Sequence, residues 1–210
     1  MSKMLRIEDA IPTRRSDIEG IIKEHKSKFN IALYKRLMDD VASKGVGIID
    51  DIYFQTSYGA FYGISRFKSL EWKKAYYKVF KEIIRNSKHD KMVDIADILQ
   101  KLHDIDTNDG RKVELSFASK MIATIDKDRP IYDSNVAKAL KVNYSSSKNS
   151  PLYIAAKDIY EELEANYKSY MRHPNHKAAI EAFNNESPEG ESISPTKKID
   201  FILWSIGKGE

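Results

Sequence analysis

Apolar side chains in this chain fall three and four residues apart through nearly every segment, and no apolar–polar alternation runs long enough to build a sheet. That property confines the fold to packed helices. Ser16 or Asp17 caps a helix through Lys28 whose inner face is Ile18, Ile21, Ile22 and His25, with His25 read as a packed histidine. A second helix, Asn30 to Ser43, turns Ile31, Tyr34, Leu37, Met38 and Val41 to one side, and Lys44-Gly45 marks its end. Leu70 to Ser87 places Trp72, Tyr76, Val79, Phe80 and Ile83 inward and carries lysines that a solvated face explains. Met92 to His103 is a further helix, followed by a polar turn from Asp104 to Arg111. Ser150-Pro151 opens a long helix to about Met171, Pro174 breaks it, and Asn175 to Phe183 resumes. Asn184 to Pro195 reads as a polar loop, and Thr196 to Ile206 as an apolar terminal helix that must dock on the core.

Ile48 to Phe67 is the least helix-like apolar region, dense in aromatic residues. Two readings stay open. The tyrosines and phenylalanines fill interior space, or Tyr58, Tyr62 and Tyr53 wall a pocket in which a planar group stacks, with Gln55, Asp50 or Asp51 as polar contacts.

Composition sets the class. At 210 residues and 41% hydrophobic content, the chain is long enough for a substantial core. A net charge of +4 is a mild basic excess, so binding to a polyanion would require a patch and not a global field. There is no cysteine, which excludes disulfides, thiolate zinc sites and a cysteine-ligated iron–sulfur cluster. His173 and His176 straddle the break at Pro174 with no carboxylate triad nearby in sequence, so no metal is expected there. No apolar run approaches the roughly 18 residues of a membrane span, and the start of the chain lacks a signal-peptide core. The expectation is a soluble, cytoplasmic protein with no cofactor.

The chemistry-bearing stretch is Glu114 to Leu140. It begins with a helix bearing small residues (Ser116, Ala118, Ser119, Ala123) and passes through a charged turn, Asp126 to Arg129. Pro130-Ile131-Tyr132-Asp133 then opens a second helix from Ser134 to Leu140. The proline pushes Arg129 out of helical geometry, and Asp133 falls where a helix needs an acceptor for its free amides. A carboxylate is thereby fixed beside a helix N-terminus, whose amides also receive phosphate. The same arrangement occurs as a cap with no chemistry.

In this order of elements the stretch resembles the helix-hairpin-helix/Gly-Pro-Asp superfamily of DNA base-excision glycosylases. Pro130, Ile131, Tyr132 and Asp133 match the family's Pro-hydrophobic-hydrophobic-Asp signature, and Ser134-Asn135-Val136 is similar to the Gly-Asn-Val of its adenine-mismatch branch. The resemblance implies an all-α, bilobed helical bundle with Asp133 as the catalytic aspartate and double-stranded DNA as partner. The family's hairpin turn falls on Gly110-Arg111-Lys112-Val113-Glu114, where Lys112 and Glu114 replace both hairpin glycines. Arg111 and Lys112 would then hold phosphate with side chains, helped by Ser134 and Asn135. The nucleophilic lysine of bifunctional members falls on Ser116, which looks monofunctional. Lys120, one helical turn further, shares that face but reads most simply as a solvated lysine. Tyr132, Tyr58, Tyr62 and Gln55 would line the base pocket.

The expected organisation is a single globular unit over residues 1–210. Within it, residues 90–142 form the hairpin and catalytic-Asp unit, and the N- and C-terminal helices pack together as the other lobe. The expected activity is removal of a damaged, mismatched or modified base. The alternative is a non-catalytic DNA- or protein-binding module on the same kind of helical fold.

Overall fold

In the computed structural model, residues 4–64, 68–87, 93–105, 113–142 and 152–209 are described, and every regular element among them is helical. In chain order the α-helices are α1 (Ile7–Ala10), α2 (Arg15–His25), α3 (Ile31–Lys44), α4 (Ile52–Phe61), α5 (Leu70–Ser87) and α6 (Ile95–His103). They are followed by α7 (Leu115–Ile125), α8 (Ser134–Ala139), α9 (Leu152–Tyr170), α10 (Asn175–Glu186) and α11 (Pro195–Gly209). Short 3₁₀ turns occupy Lys26–Lys28, Gly45–Asp50 and Pro188–Gly190. Among the described residues no helix is long and apolar enough to cross a membrane.

Contacts divide the chain into two units. The first gathers the described residues of Met1–Ile31, Lys127–Ser145 and Asp158–Glu210, and the second those of Ala32–Asp126 and Ser146–Lys157. Helices from both ends of the chain therefore share a unit. The expected unit of residues 90–142 needs correction, because the division falls between Asp126 and Lys127. The helix α7 stays with the aromatic second unit, while Asp133 and α8 join the terminal helices.

The core of the first unit is built where α2, α10 and α11 meet. Phe29 stacks on Phe201 with ring centroids 4.5 Å apart, and Phe183 lies 5.9 Å from each of them. His25 is buried with its ring edge-on to Trp204 at 6.1 Å, as the packed reading expects. The N-terminal segment is tied down by one amide side chain. Asn166 on α9 accepts from the Ile7 N–H at 3.0 Å and donates to the Leu5 carbonyl at 2.9 Å, while the Leu5 N–H reaches the carbonyl of Leu140 at 2.9 Å. Backbone groups without a helical partner are satisfied in this way. The segment Asn184 to Pro195 is not a solvated loop. The helix α10 continues to Glu186, and Ser187, Gly190, Ile193 and Ser194 are buried. Gly190 lies so close to Phe183 that an added Cβ would sit 2.7 Å from its ring, so packing and not polarity decides the course of this segment.

The second unit has an aromatic interior of Tyr58, Tyr62, Trp72, Tyr76, Tyr77, Phe80 and Phe117. Ile52–Phe61, within the least helix-like stretch of the sequence, is a helix. Asp51 caps it by accepting the N–H groups of Tyr53 at 2.7 Å and Phe54 at 3.1 Å, and this local start signal outweighs the poor helical propensity of the aromatic residues. The helix α5 runs over Leu70–Ser87 with Trp72, Tyr76, Phe80 and Ile83 buried, and Tyr77 and Ile84 join them. Gly45 ends α3 with φ 59, a left-handed conformation that glycine adopts without steric penalty.

Candidate functional site around Asp133

The segment leading to Asp133 is extended, and nearly every residue in it is anchored within the first unit. The Arg129 guanidinium pairs with Glu164 and stands 5.7 Å from the centre of the Tyr160 ring. The Tyr160 hydroxyl donates to the Pro130 carbonyl at 3.1 Å, and the Ile131 N–H donates to Asp200 Oδ1 at 3.4 Å. With these residues held, Asp133 is delivered in extended geometry (φ −130, ψ 157). Its Oδ1 accepts the Asn135 N–H at 2.8 Å and its carbonyl accepts the Ala137 N–H at 2.8 Å. The expected N-cap is therefore present, and Asp133 itself is half-buried.

The position of α8 is set by α11. Gly207 approaches it so closely that a Cβ built there would lie 1.9 Å from the Asn135 carbonyl oxygen. Only the missing side chain lets the two helices touch backbone to backbone. Lys141 takes φ 52 just beyond α8, and the Val142 N–H returns to the Ala137 carbonyl at 2.8 Å, closing the helix as a glycine usually would.

Beneath the segment lies a polar group that sequence reasoning missed. Asp200 and Lys197 on α11 and Tyr167 on α9 are all buried. Asp200 accepts from the Tyr167 hydroxyl as well as from Ile131, and Lys197 Nζ stands 3.8 Å from Asp200 Oδ2 and 4.6 Å from the Phe201 ring centre. Burial pushes the Asp200 carboxyl up to about 6, and the charge of Asp133 adds to the rise. Lys197 and the two hydrogen bonds oppose it. Burial likewise lowers the Lys197 ammonium against the pull of Asp200 and Asp133. Two carboxylates and one amine are thus electrostatically coupled within one unit. Breaking a buried pair of this kind leaves an uncompensated charge, so the cluster resists rearrangement of the segment it supports. The Tyr132 phenol beside Asp133 is raised by burial and by that carboxylate.

A signal for this cluster does exist in the sequence. It lies in Trp204: Ile199, Phe201, Ile202 and Leu203 leave open the sector of α11 that holds Asp200 and Lys197, and Trp204 falls in that sector and marks it as a face that packs.

The other expected site residues are dispersed. Ser134 is exposed beside Asp133, and Asn135 is half-buried with its amide in the cap. Arg111 and Lys112 lie outside the described residues. Ser116 and Lys120 belong to the second unit, on α7. Lys120 is not solvated: it is 7% exposed, donating to Ser116 Oγ at 2.9 Å and to the Tyr62 carbonyl at 3.3 Å. The helix α7 is buried around almost its whole circumference, so no position from Phe117 to Thr124 faces water. Tyr58 and Tyr62 are interior residues of the second unit, as the space-filling reading has them. The Tyr58 hydroxyl meets that of Tyr76 at 3.2 Å and receives Thr124 Oγ1 at 3.3 Å, while Gln55 Nε2 donates to the Ile49 carbonyl at 2.7 Å. Asp51 is occupied as a helix cap and Asp50 pairs with Lys81. Among the described residues no cluster of three or more histidine and carboxylate groups is arranged to hold a metal ion.

Comparison of the chain with protein-family models, with curated proteins and with solved structures finds no match.

Proposed function

We propose that this chain acts on DNA as an N-glycosylase-like protein, extruding a damaged, mismatched or modified base and releasing it with Asp133. The observation that carries the reading is the restraint on that carboxylate. Arg129, Pro130 and Ile131 are each tied to α9 or α11, and Asp133 is held half-buried at a helix start. A surface cap needs no such support. In the proposed step the bond between the sugar C1′ and the base nitrogen breaks and the electron pair leaves with the base. The Asp133 carboxylate stabilises the cationic sugar until water adds at C1′, and the proton that this water loses balances the charge of the departed base. Asp200, Tyr167 and Lys197 are positioning residues, acting through the backbone of Ile131 and the local field. Buried Lys120 is left with a structural part, and the activity is monofunctional.

The test is a panel of duplexes carrying different lesions, scored for abasic sites with wild type and Asp133→Asn. Asparagine also caps helices, so the fold is retained while base release falls by about a hundredfold or more. Equal release by the two proteins overturns the assignment. A DNA-binding module without chemistry is the second reading, favoured by the hydrogen bond that the Asn135 N–H donates to Asp133 Oδ1, for which a structural carboxylate is enough. Duplex binding that weakens steeply with salt, with no abasic product on any lesion, decides for it.

A further inference from the structure

The first unit contains an open pocket of about 550 Å³ on the side of the Arg129–Pro130 segment where α9 ends and α11 begins. Its volume lies within the roughly 300–1,000 Å³ of small-ligand sites. Lys168 and Arg172 follow Glu164 at four-residue intervals, so all three carry one stripe of α9 and the turn beyond it into the lining. Glu164 is taken by Arg129, which neutralises the one carboxylate on that stripe. Lys168 and Arg172 are exposed, and among the described residues neither makes an ion pair. His176 reaches the same pocket from the start of α10. Its Nδ1 is engaged by the His173 carbonyl at 3.2 Å, so Nε2 is the ring nitrogen left for a ligand. Thr196 brings in the first turn of α11, a helix of 15 residues whose positive end adds to the cationic rim.

The remaining walls come from Met171, Pro130 and Pro195, which offer flat apolar surface. Three cations, Arg129, Lys168 and Arg172, face two carboxylates, Asp128 and Glu164, so the lining suits one or two negative charges and not a polyphosphate. A ligand with a compact anionic group and a planar apolar body matches both halves of the lining.

We propose that this pocket binds a nucleotide through its monophosphate, with Lys168, Arg172 and His176 on the phosphate and the base against the apolar walls. The phosphate comes from a free nucleoside monophosphate or from the phosphorylated end of a nucleic acid strand. Neither case requires base release, and Asp133 does not line the pocket.

Calorimetric titration of the full chain with dAMP, deoxyadenosine, inorganic phosphate, and a DNA oligonucleotide with and without a 5′-phosphate separates the sources. The expected result is that dAMP, or the oligonucleotide bearing the 5′-phosphate, binds at least about tenfold tighter than its unphosphorylated counterpart. The variant Lys168→Ala/Arg172→Ala should lose about tenfold or more of that affinity while keeping its melting temperature, since both side chains are exposed. Tight dAMP binding assigns the free nucleotide, and binding of the phosphorylated oligonucleotide alone assigns the strand end. Asp133→Asn should bind like wild type, so a failure of the glycosylase reading leaves this result standing. Equal affinity with and without phosphate, no binding in any arm, or full affinity in the double variant overturns the proposal.

Discussion

Gly207→Ala probes the contact that sets Asp133 in place. A Cβ at that position would stand 1.9 Å from the Asn135 carbonyl oxygen, 2.7 Å from its carbon and 3.1 Å from the Ala139 nitrogen, whereas real Cβ contacts essentially never fall under 3.0 Å. The obstacle is helix backbone, which cannot rotate away as a side-chain tip does. The helices α8 and α11 must therefore separate by about 1 Å. A gap of that size forfeits a quarter to a half of each dispersion contact across the interface, and Val136, Ala137 and Ala139 are buried on α8. Overpacking alone costs about 1–3 kcal/mol, so with the lost contacts we expect a destabilisation of about 3 kcal/mol or more. For a chain of this length that corresponds to a melting temperature lower by roughly 6–12 °C. The control is Gly20→Ala in the exposed middle of α2, where nothing lies within 4 Å of the added carbon. Removing backbone freedom there should stabilise the protein by about 0.5–1 kcal/mol. Thermal melts and urea titrations of both variants read the two effects. A Gly207→Ala protein within about 0.5 kcal/mol of wild type would refute the close crossing and the account of how α8 is positioned.

Asp200 predicts a pH dependence of stability. Its carboxyl titrates near 6 in the fold against 3.8 in the unfolded chain, so the folded state holds the proton more tightly. Its contribution favours the fold at low pH and is lost as pH rises through 6, by up to about 3 kcal/mol. Urea titrations at pH 5 and pH 7 should show about 1 kcal/mol of this loss in wild type, the remainder falling below pH 5, and a flattened difference in Asp200→Asn; an undiminished difference in the variant assigns it to other groups. Tyr58→Phe removes the hydroxyl that joins Tyr76 and Thr124 in the dry interior of the second unit, at an expected cost of about 1–2 kcal/mol in denaturant titration. No loss of stability would mean that these hydroxyls are satisfied without it.

The local elements of this fold were legible in the chain itself. Leu70–Ser87 shows its helix through the spacing of Trp72, Tyr76, Phe80 and Ile83, and Asp133 announces its cap through the proline three residues earlier. Both signals are complete within a turn or two of backbone, so no distant partner is needed to read them. The all-α class follows from the same periodicity. Burial of charge is a different matter. A lysine reads by itself as a solvated residue, and only the packing of α7 on every side encloses Lys120. The aromatic run from Ile48 hid a helix, since its exposed face carries Ile52 and Tyr53 where a polar face is usual. The division of the Glu114 to Leu140 stretch between two units rests on contacts such as those with Tyr160 and Asp200, far along the chain. Spacing along one segment determines which way its own side chains point. What those side chains meet is decided by segments distant along the chain, as when Asn166 secures Leu5 and Ile7.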